Sequence, residues 1–260
     1  MVEYKNLIVT REEGLALITL NRPEYSNALN TELLGELEQV LWELERDRTV
    51  RAVIITGKGK AFAAGADVRE LVEADPWGAL DNCSQAHRVF DRVEGLPCPT
   101  IAAINGPALG GGCELALCCD FRVAGESGRL GLPEISLGII PGAGGTQRLV
   151  RLVGVSRAKE MIYLGSIIDA RKAWEIGLVD RVVGDQEVME EARRLAARLM
   201  EKPRVALSLA KKAINFGRDK DLESGKRFEM AQFALAFSTR DQKEGMRAFV
   251  EKRKPNFVHE

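Results

Sequence analysis

Histidine is the residue type this chain most lacks. Only His87 and His259 occur in 260 residues. His259 sits on the tail and His87 is far from any nucleophile motif, so histidine general-base chemistry fits poorly. The Cys118-Cys119 pair lacks the two-residue gap of common zinc and redox motifs, so a His/Cys metal site is not expected. The five cysteines are odd in number and do not make a disulfide framework. Three of them, Cys113, Cys118 and Cys119, share one apolar segment, where free cysteine behaves as a small hydrophobe. A reduced, cytoplasmic setting is expected. No apolar run is long enough to span a membrane. Net charge is −1 and no basic stretch is interleaved with aromatics, so nucleic acid is not an expected partner. Met1-Val2-Glu3-Tyr4-Lys5-Asn6 shows neither a signal h-region nor an Arg/Ser-rich transit pattern.

What is present is an ordinary globular mix, 45% hydrophobic and 29% charged. Its length permits one large domain, or a core with a smaller appendage. Short runs rich in Ile, Val and Leu recur at residues 7–9, 15–20, 52–56, 100–104, 121–124 and 178–183. Residues 31–47 place Leu33, Leu34, Leu37, Val40, Leu41 and Leu44 on one helix face, with Thr31 as N-cap and Glu32 in the first turn. Alternating strands and helices mean an α/β fold. After about Asp185 the strands stop, and helical patterns cover 186–201, 203–216, 222–238 and 240–254. The expected division is an α/β core over 1–185 and a helical region over 186–260.

Two glutamates mark the chemistry. Glu114 follows Gly110-Gly111-Gly112-Cys113, and Glu134 follows Gly131-Leu132-Pro133, both in the least polar stretch of the chain. Carboxylates are rarely left in apolar surroundings, and two of them can divide acid and base work if one keeps a proton. The segment 101–120 reads as buried strand, Gly-rich loop and apolar helix. A helix start of that kind offers unpaired N–H groups that stabilise an oxyanion. No Gly-Lys-Ser/Thr follows, so it is not a phosphate loop. The segment 60–68 is a tight turn after a strand. Asp67 can cap a helix beginning near Val68, and the Ala66 N–H is a candidate donor to a ligand oxygen. A further helix should start near Thr146.

Three stretches resemble the enoyl-CoA hydratase/isomerase (crotonase) family, in order and along nearly the whole chain. They are Ala-Phe-Ala-Ala-Gly-Ala-Asp at 61–67, Ile-Ala-Ala-Ile-Asn-Gly through Gly-Gly-Gly-Cys-Glu-Leu at 101–115, and Pro-Glu-Ile through Gly-Gly-Thr-Gln-Arg-Leu at 133–149. The resemblance implies a spiral of ββα turns, a helical trimerisation region and a hexamer built as a dimer of trimers. It implies an acyl-CoA thioester as ligand, with coenzyme A part of the substrate and no separate cofactor or metal. The family's oxyanion-hole N–H groups fall on Ala66 and Gly111, and its two hydratase glutamates on Glu114 and Glu134. Many isomerases of the family keep a single acidic residue, so both together favour hydration of a trans-2-enoyl-CoA. A Δ3-Δ2 isomerase, a branched-chain hydratase or an RNA-binding member are the alternatives. CoA contacts fall on Ala64, Asp67, Val68 and Arg69, and on Phe249 and Lys252 reaching a neighbouring subunit's ligand. Acyl length is expected to be set by loops around residues 75–85.

Overall fold

A computed structural model describes residues 4–260; Met1, Val2 and Glu3, which open the segment read for a leader, lie outside them. The strands are β1 (Leu7–Glu12), β2 (Leu15–Leu20), β3 (Ala52–Gly57), β4 (Thr100–Ile104), β5 (Pro107–Leu109), β6 (Phe121–Gly125), β7 (Arg129–Gly131), β8 (Ile167–Asp169) and β9 (Arg181–Val183). The helices are α1 (Thr31–Arg46), α2 (Val68–Leu71), α3 (Pro76–Gly95), α4 (Gly111–Cys118), α5 (Gly145–Val153), α6 (Val155–Tyr163) and α7 (Ala170–Glu175). The chain ends on α8 (Val188–Met200), α9 (Arg204–Arg218), α10 (Leu222–Ala236) and α11 (Arg240–Val250).

The main sheet has the order β1-β2-β3-β4-β6-β9 and is parallel except for the β1–β2 pair. Its register stacks Ile18 beside Ile55, and Ile55 beside Ala102. Parallel strands covered on both faces read as unbroken apolar runs, and every residue of β3 and β4 is buried. Alternation divides them. Ile18, Val53, Ile55, Ala102 and Ile104 belong to the larger core with α1, α3 and α4. Ile54, Ile101, Ala103 and Val123 face Val188, Ala192, Leu195 and Ala196 of α8. Thus α8 covers one face of the sheet. The helix α9 lies against the same core, with Lys211 on the Cys98 carbonyl and Asp120, and Arg204 on the Val50 carbonyl.

A second layer contains β5-β7-β8 and two isolated bridges, Leu29 with Ala66 and Ala63 with Ala108. The repeat is now visible: a long strand enters the main sheet, a short segment joins the second layer, and a helix follows. Each turn of this spiral ends its short segment beside the last one. The loops at residues 63–67 and 108–112 are thereby brought together.

Several local readings need correction. The N-cap of α1 is Asn30, whose side chain accepts from the Leu33 N–H, and not Thr31. The run at 178–183 is strand only over its last three residues. Residues 75–85 are not loop: Asp75 caps α3 and the rest form its first half. No helix among the described residues is long and apolar enough to cross a membrane.

Candidate active site

The Ala66 N–H is freed by the pairing of its neighbours. In the bridge to Leu29, the Leu29 N–H donates to the Gly65 carbonyl and the Asp67 N–H donates to the Leu29 carbonyl, at 2.7 and 2.9 Å. Strand geometry turns the N–H between them to the other side. That side meets the start of α4. A Cβ built on Gly111 would lie 3.4 Å from the Ala66 nitrogen. Gly111 opens α4, so its N–H has no partner within the helix. Among the described residues, neither N–H donates to a protein acceptor. The close seating depends on Gly112, where any Cβ would collide with the Ala63 carbonyl.

Glu114 stands on the first turn of α4 and is 2% exposed. Its Oε1 accepts the N–H groups of Ala143 and Gly145 at 2.8 and 2.7 Å, at the start of α5. Among the described residues, none donates a hydrogen bond to its Oε2. Burial pushes the carboxyl pKa upward, and the two N–H donors pull against that shift. Glu134 lies in a 3-10 turn, Pro133–Leu137, that leaves β7. A Cβ on Gly110 would lie 3.1 Å from its Oε1. Its Oε2 is buried and has no hydrogen-bond partner among the described residues. Burial, reinforced by the Glu114 charge, raises the Glu134 pKa to about 7. The site therefore holds one carboxyl cradled by donors and another that keeps a proton near neutrality.

Asp67 caps α2 and is held by two arginines. Arg69 grips it through Nε at 2.8 Å and Nη2 at 2.6 Å, and Arg22 through Nη2 at 3.1 Å. The arginines hold its pKa down to about 2. Both guanidinium groups stack on Tyr25. Asp67 thus has its carboxylate and its N–H engaged within the chain, and acts on the loop's shape. Arg69 is committed to Asp67 yet remains largely exposed. Ala64 and Val68 are exposed beside this loop.

Phe249 lies in the last turn of α11 and Lys252 follows that helix, its N–H on the Phe249 carbonyl. The segment after α11 folds back, with the Val258 N–H on Asp241 and His259 against Arg51. Arg51 precedes β3, whereas the Ala66 loop follows its other end.

Two features were missed in the sequence. His87, set aside there, sits on α3 close to the site: its Cε1 would be 3.7 Å from a Cβ on Gly144. Asn27 is fully buried in a left-handed conformation, φ +58°. Its amide donates to the carbonyls of Lys58 and Ala61 and its Oδ1 accepts from the Arg22 N–H, pinning the loop before Ala66. The Asn-rich stretch 27–30 was the available signal, because Asn tolerates left-handed backbone.

The four remaining cysteines away from α3 are buried and free, and burial raises the thiols of Cys98 to about 11 and of Cys113 and Cys119 to about 12. They act as core hydrophobes.

Comparison with known proteins gives the family and the fold. The enoyl-CoA hydratase/isomerase family model matches residues 10–260. A crotonyl-CoA hydratase of Syntrophomonas wolfei is 46% identical, over 98% of both chains. A short-chain-enoyl-CoA hydratase of Clostridium acetobutylicum is also 46% identical, over 97% of both. Among solved structures, an enoyl-CoA hydratase subunit I of Geobacillus kaustophilus superposes with a TM-score of 0.95 at 44% identity, covering 100% of both chains. An enoyl-CoA hydratase of Bacillus anthracis gives 0.94 at 44% identity, over 98% of this chain and 100% of that one. The chain belongs to the enoyl-CoA hydratase/isomerase family and has the crotonase fold.

Proposed function

We propose that this protein is an enoyl-CoA hydratase, adding water reversibly to a trans-2-enoyl-CoA to give a 3-hydroxyacyl-CoA. The observation that carries the reading is the pair of glutamates with opposed surroundings, set beside two free backbone N–H groups. The thioester oxygen binds between Ala66 and Gly111. Glu114, ionised, takes a proton from water, whose oxygen bonds to C3. Charge moves onto the thioester oxygen as an enolate, where each donor is worth roughly 3–4 kcal/mol by comparison with other oxyanion holes. Glu134 delivers its proton to C2, and return of a proton from Glu114 restores the starting state. The full-length similarity to hydratases named for crotonyl-CoA and short-chain substrates supports crotonyl-CoA as the first substrate to try. Short-chain acyl-CoA or fatty acid metabolism in the cytoplasm is the setting that fits.

Ala64, Val68 and Arg69 form the rim along which the CoA moiety is placed, with Phe249 and Lys252 supplied by a second copy in a hexamer of two trimers. Coenzyme A arrives as part of the substrate, and the residues that act are all side chains or backbone groups of the chain itself. The test is hydration of crotonyl-CoA, followed by loss of the absorbance of the conjugated thioester. Rapid loss with formation of 3-hydroxybutyryl-CoA is expected. Inertness toward 2-enoyl thioesters together with interconversion of 3-enoyl and 2-enoyl isomers would replace this reading with an isomerase.

A further inference from the structure

Arg148 carries a charge into the protein behind Glu114, and no step above uses it. It lies on α5 and is 8% exposed. Its Nε and Nη2 hold Glu94 Oε2 at 3.0 and 2.8 Å, and Nη2 also holds Asp91 Oδ1 at 2.6 Å. Two carboxylates are partners enough for a buried guanidinium. The further contact is the informative one: Nη1 donates to the Ala143 carbonyl at 3.2 Å. The N–H of the same residue is one of the two donors to Glu114. Gly144 follows at φ +100°, and a Cβ there would overlap Arg148 Nη1, so this turn is shaped around the guanidinium. Glu94 is fixed in turn by Arg218 at the end of α9, at 2.7 Å.

We propose that Arg148 is a positioning residue for the hydration reaction: seated on Glu94, it fixes the 143–145 turn and thereby the two N–H groups that orient Glu114. This rests on Glu114 being the base. The ionisable groups facing Glu114 are Cys83 and His87 from α3, Arg148 from α5, Glu134 from the 3-10 turn, and Cys113 and Cys118 of its own helix. Arg148 and the two N–H donors favour the ionised carboxylate. Loosening them shifts Glu114 protonation to higher pH, and the acid limb of the rate profile moves with it.

The experiment compares Arg148→Lys and Glu94→Gln with the parent and with Glu114→Gln, using crotonyl-CoA. Lysine keeps the charge but has no planar fork to span Glu94 and Ala143 together. Glutamine at 94 keeps the shape and weakens the seat. In folded variants kcat should fall roughly 10-fold or more, since small misplacements at a reacting centre cost that much. KM should stay within about twofold, and the acid limb of kcat/KM should move to higher pH, more in Arg148→Lys than in Glu94→Gln. Folded variants with parental kcat and an unmoved limb would overturn the proposal, as would failure of both to fold, which would make the network a stability device. If Glu114→Gln keeps its hydration rate, the two-glutamate reading fails instead, whatever the other two variants do.

Discussion

A carboxyl with one buried, unpartnered oxygen is costly when ionised, and Glu134 is such a group. Its folded pKa of about 7 lies above the ordinary carboxylate value. The folded protein therefore binds more protons than the unfolded chain between those two values. Stability contributed at this position is greatest at low pH and falls as pH rises toward 7. Glu134→Gln removes the titration. Its melting temperature relative to the parent should rise between about pH 4.5 and 7 and level off above. A pH-independent difference would mean that Glu134 is solvated and ionised like a surface carboxylate. Asp67 shows the reverse case: two arginines keep it ionised down to about pH 2, which suits a brace rather than an acid. The raised pKa of Glu134 thus comes chiefly from burial, whereas at Glu114, also buried, two backbone N–H donors oppose the same shift.

At the scale of elements, the site is a joint between a loop held by the Leu29 bridge and the first turn of α4. Proline is well tolerated at the first position of a helix, because its missing N–H has no intrahelical partner. Gly111→Pro should therefore fold while losing an oxyanion donor. Gly111→Ala keeps the donor but crowds Ala66. Hydration in the proline variant should be at least roughly 10²-fold below that of the alanine variant, the usual cost of one such donor. Equal rates in the two would remove the Gly111 N–H from the mechanism. Sequence patterns carried much of this element-level picture. The β2 and β4 runs read clearly because cover on both faces makes them unbroken apolar runs, and the stripe of α1 because burial of one face imposes a period of 3.6. The strands β5, β7 and β8 were not legible, since three residues carry no period and owe their extended form to the neighbouring turn of the spiral. The first half of α3 was also hidden. Its exposed Trp77 and Leu80 break the amphipathic stripe. Glu114 and Glu134 stood out because charge in an apolar stretch is local information. Asn27 and Arg148 did not, because Lys58 and Ala61 lie 31 and 34 residues from Asn27, and Asp91 and Glu94 lie 57 and 54 from Arg148; nor did His87, whose neighbour Gly144 is on another element.

At the scale of the whole molecule, α10 buries no residue within its own chain. Phe228 stacks on Phe216, joining α10 to α9, but Met230, Phe233, Leu235, Phe237 and Met246 remain exposed and Phe249 is 85% exposed. Exposed apolar residues gathered on two helices are what association of subunits would cover. Light scattering should give a mass several times 28.6 kDa, with six chains expected. A fully active monomer would contradict both the assembly and the supply of Phe249 and Lys252 across subunits. The most direct test of the central claim is turnover of crotonyl-CoA by Glu114→Gln and Glu134→Gln. Each variant should keep the parent's circular dichroism and oligomeric mass, because the amide preserves side-chain shape. The two-glutamate mechanism requires each to lose on the order of 10²-fold or more in kcat, the scale of a lost general acid or base; near-parental turnover by either variant would contradict it.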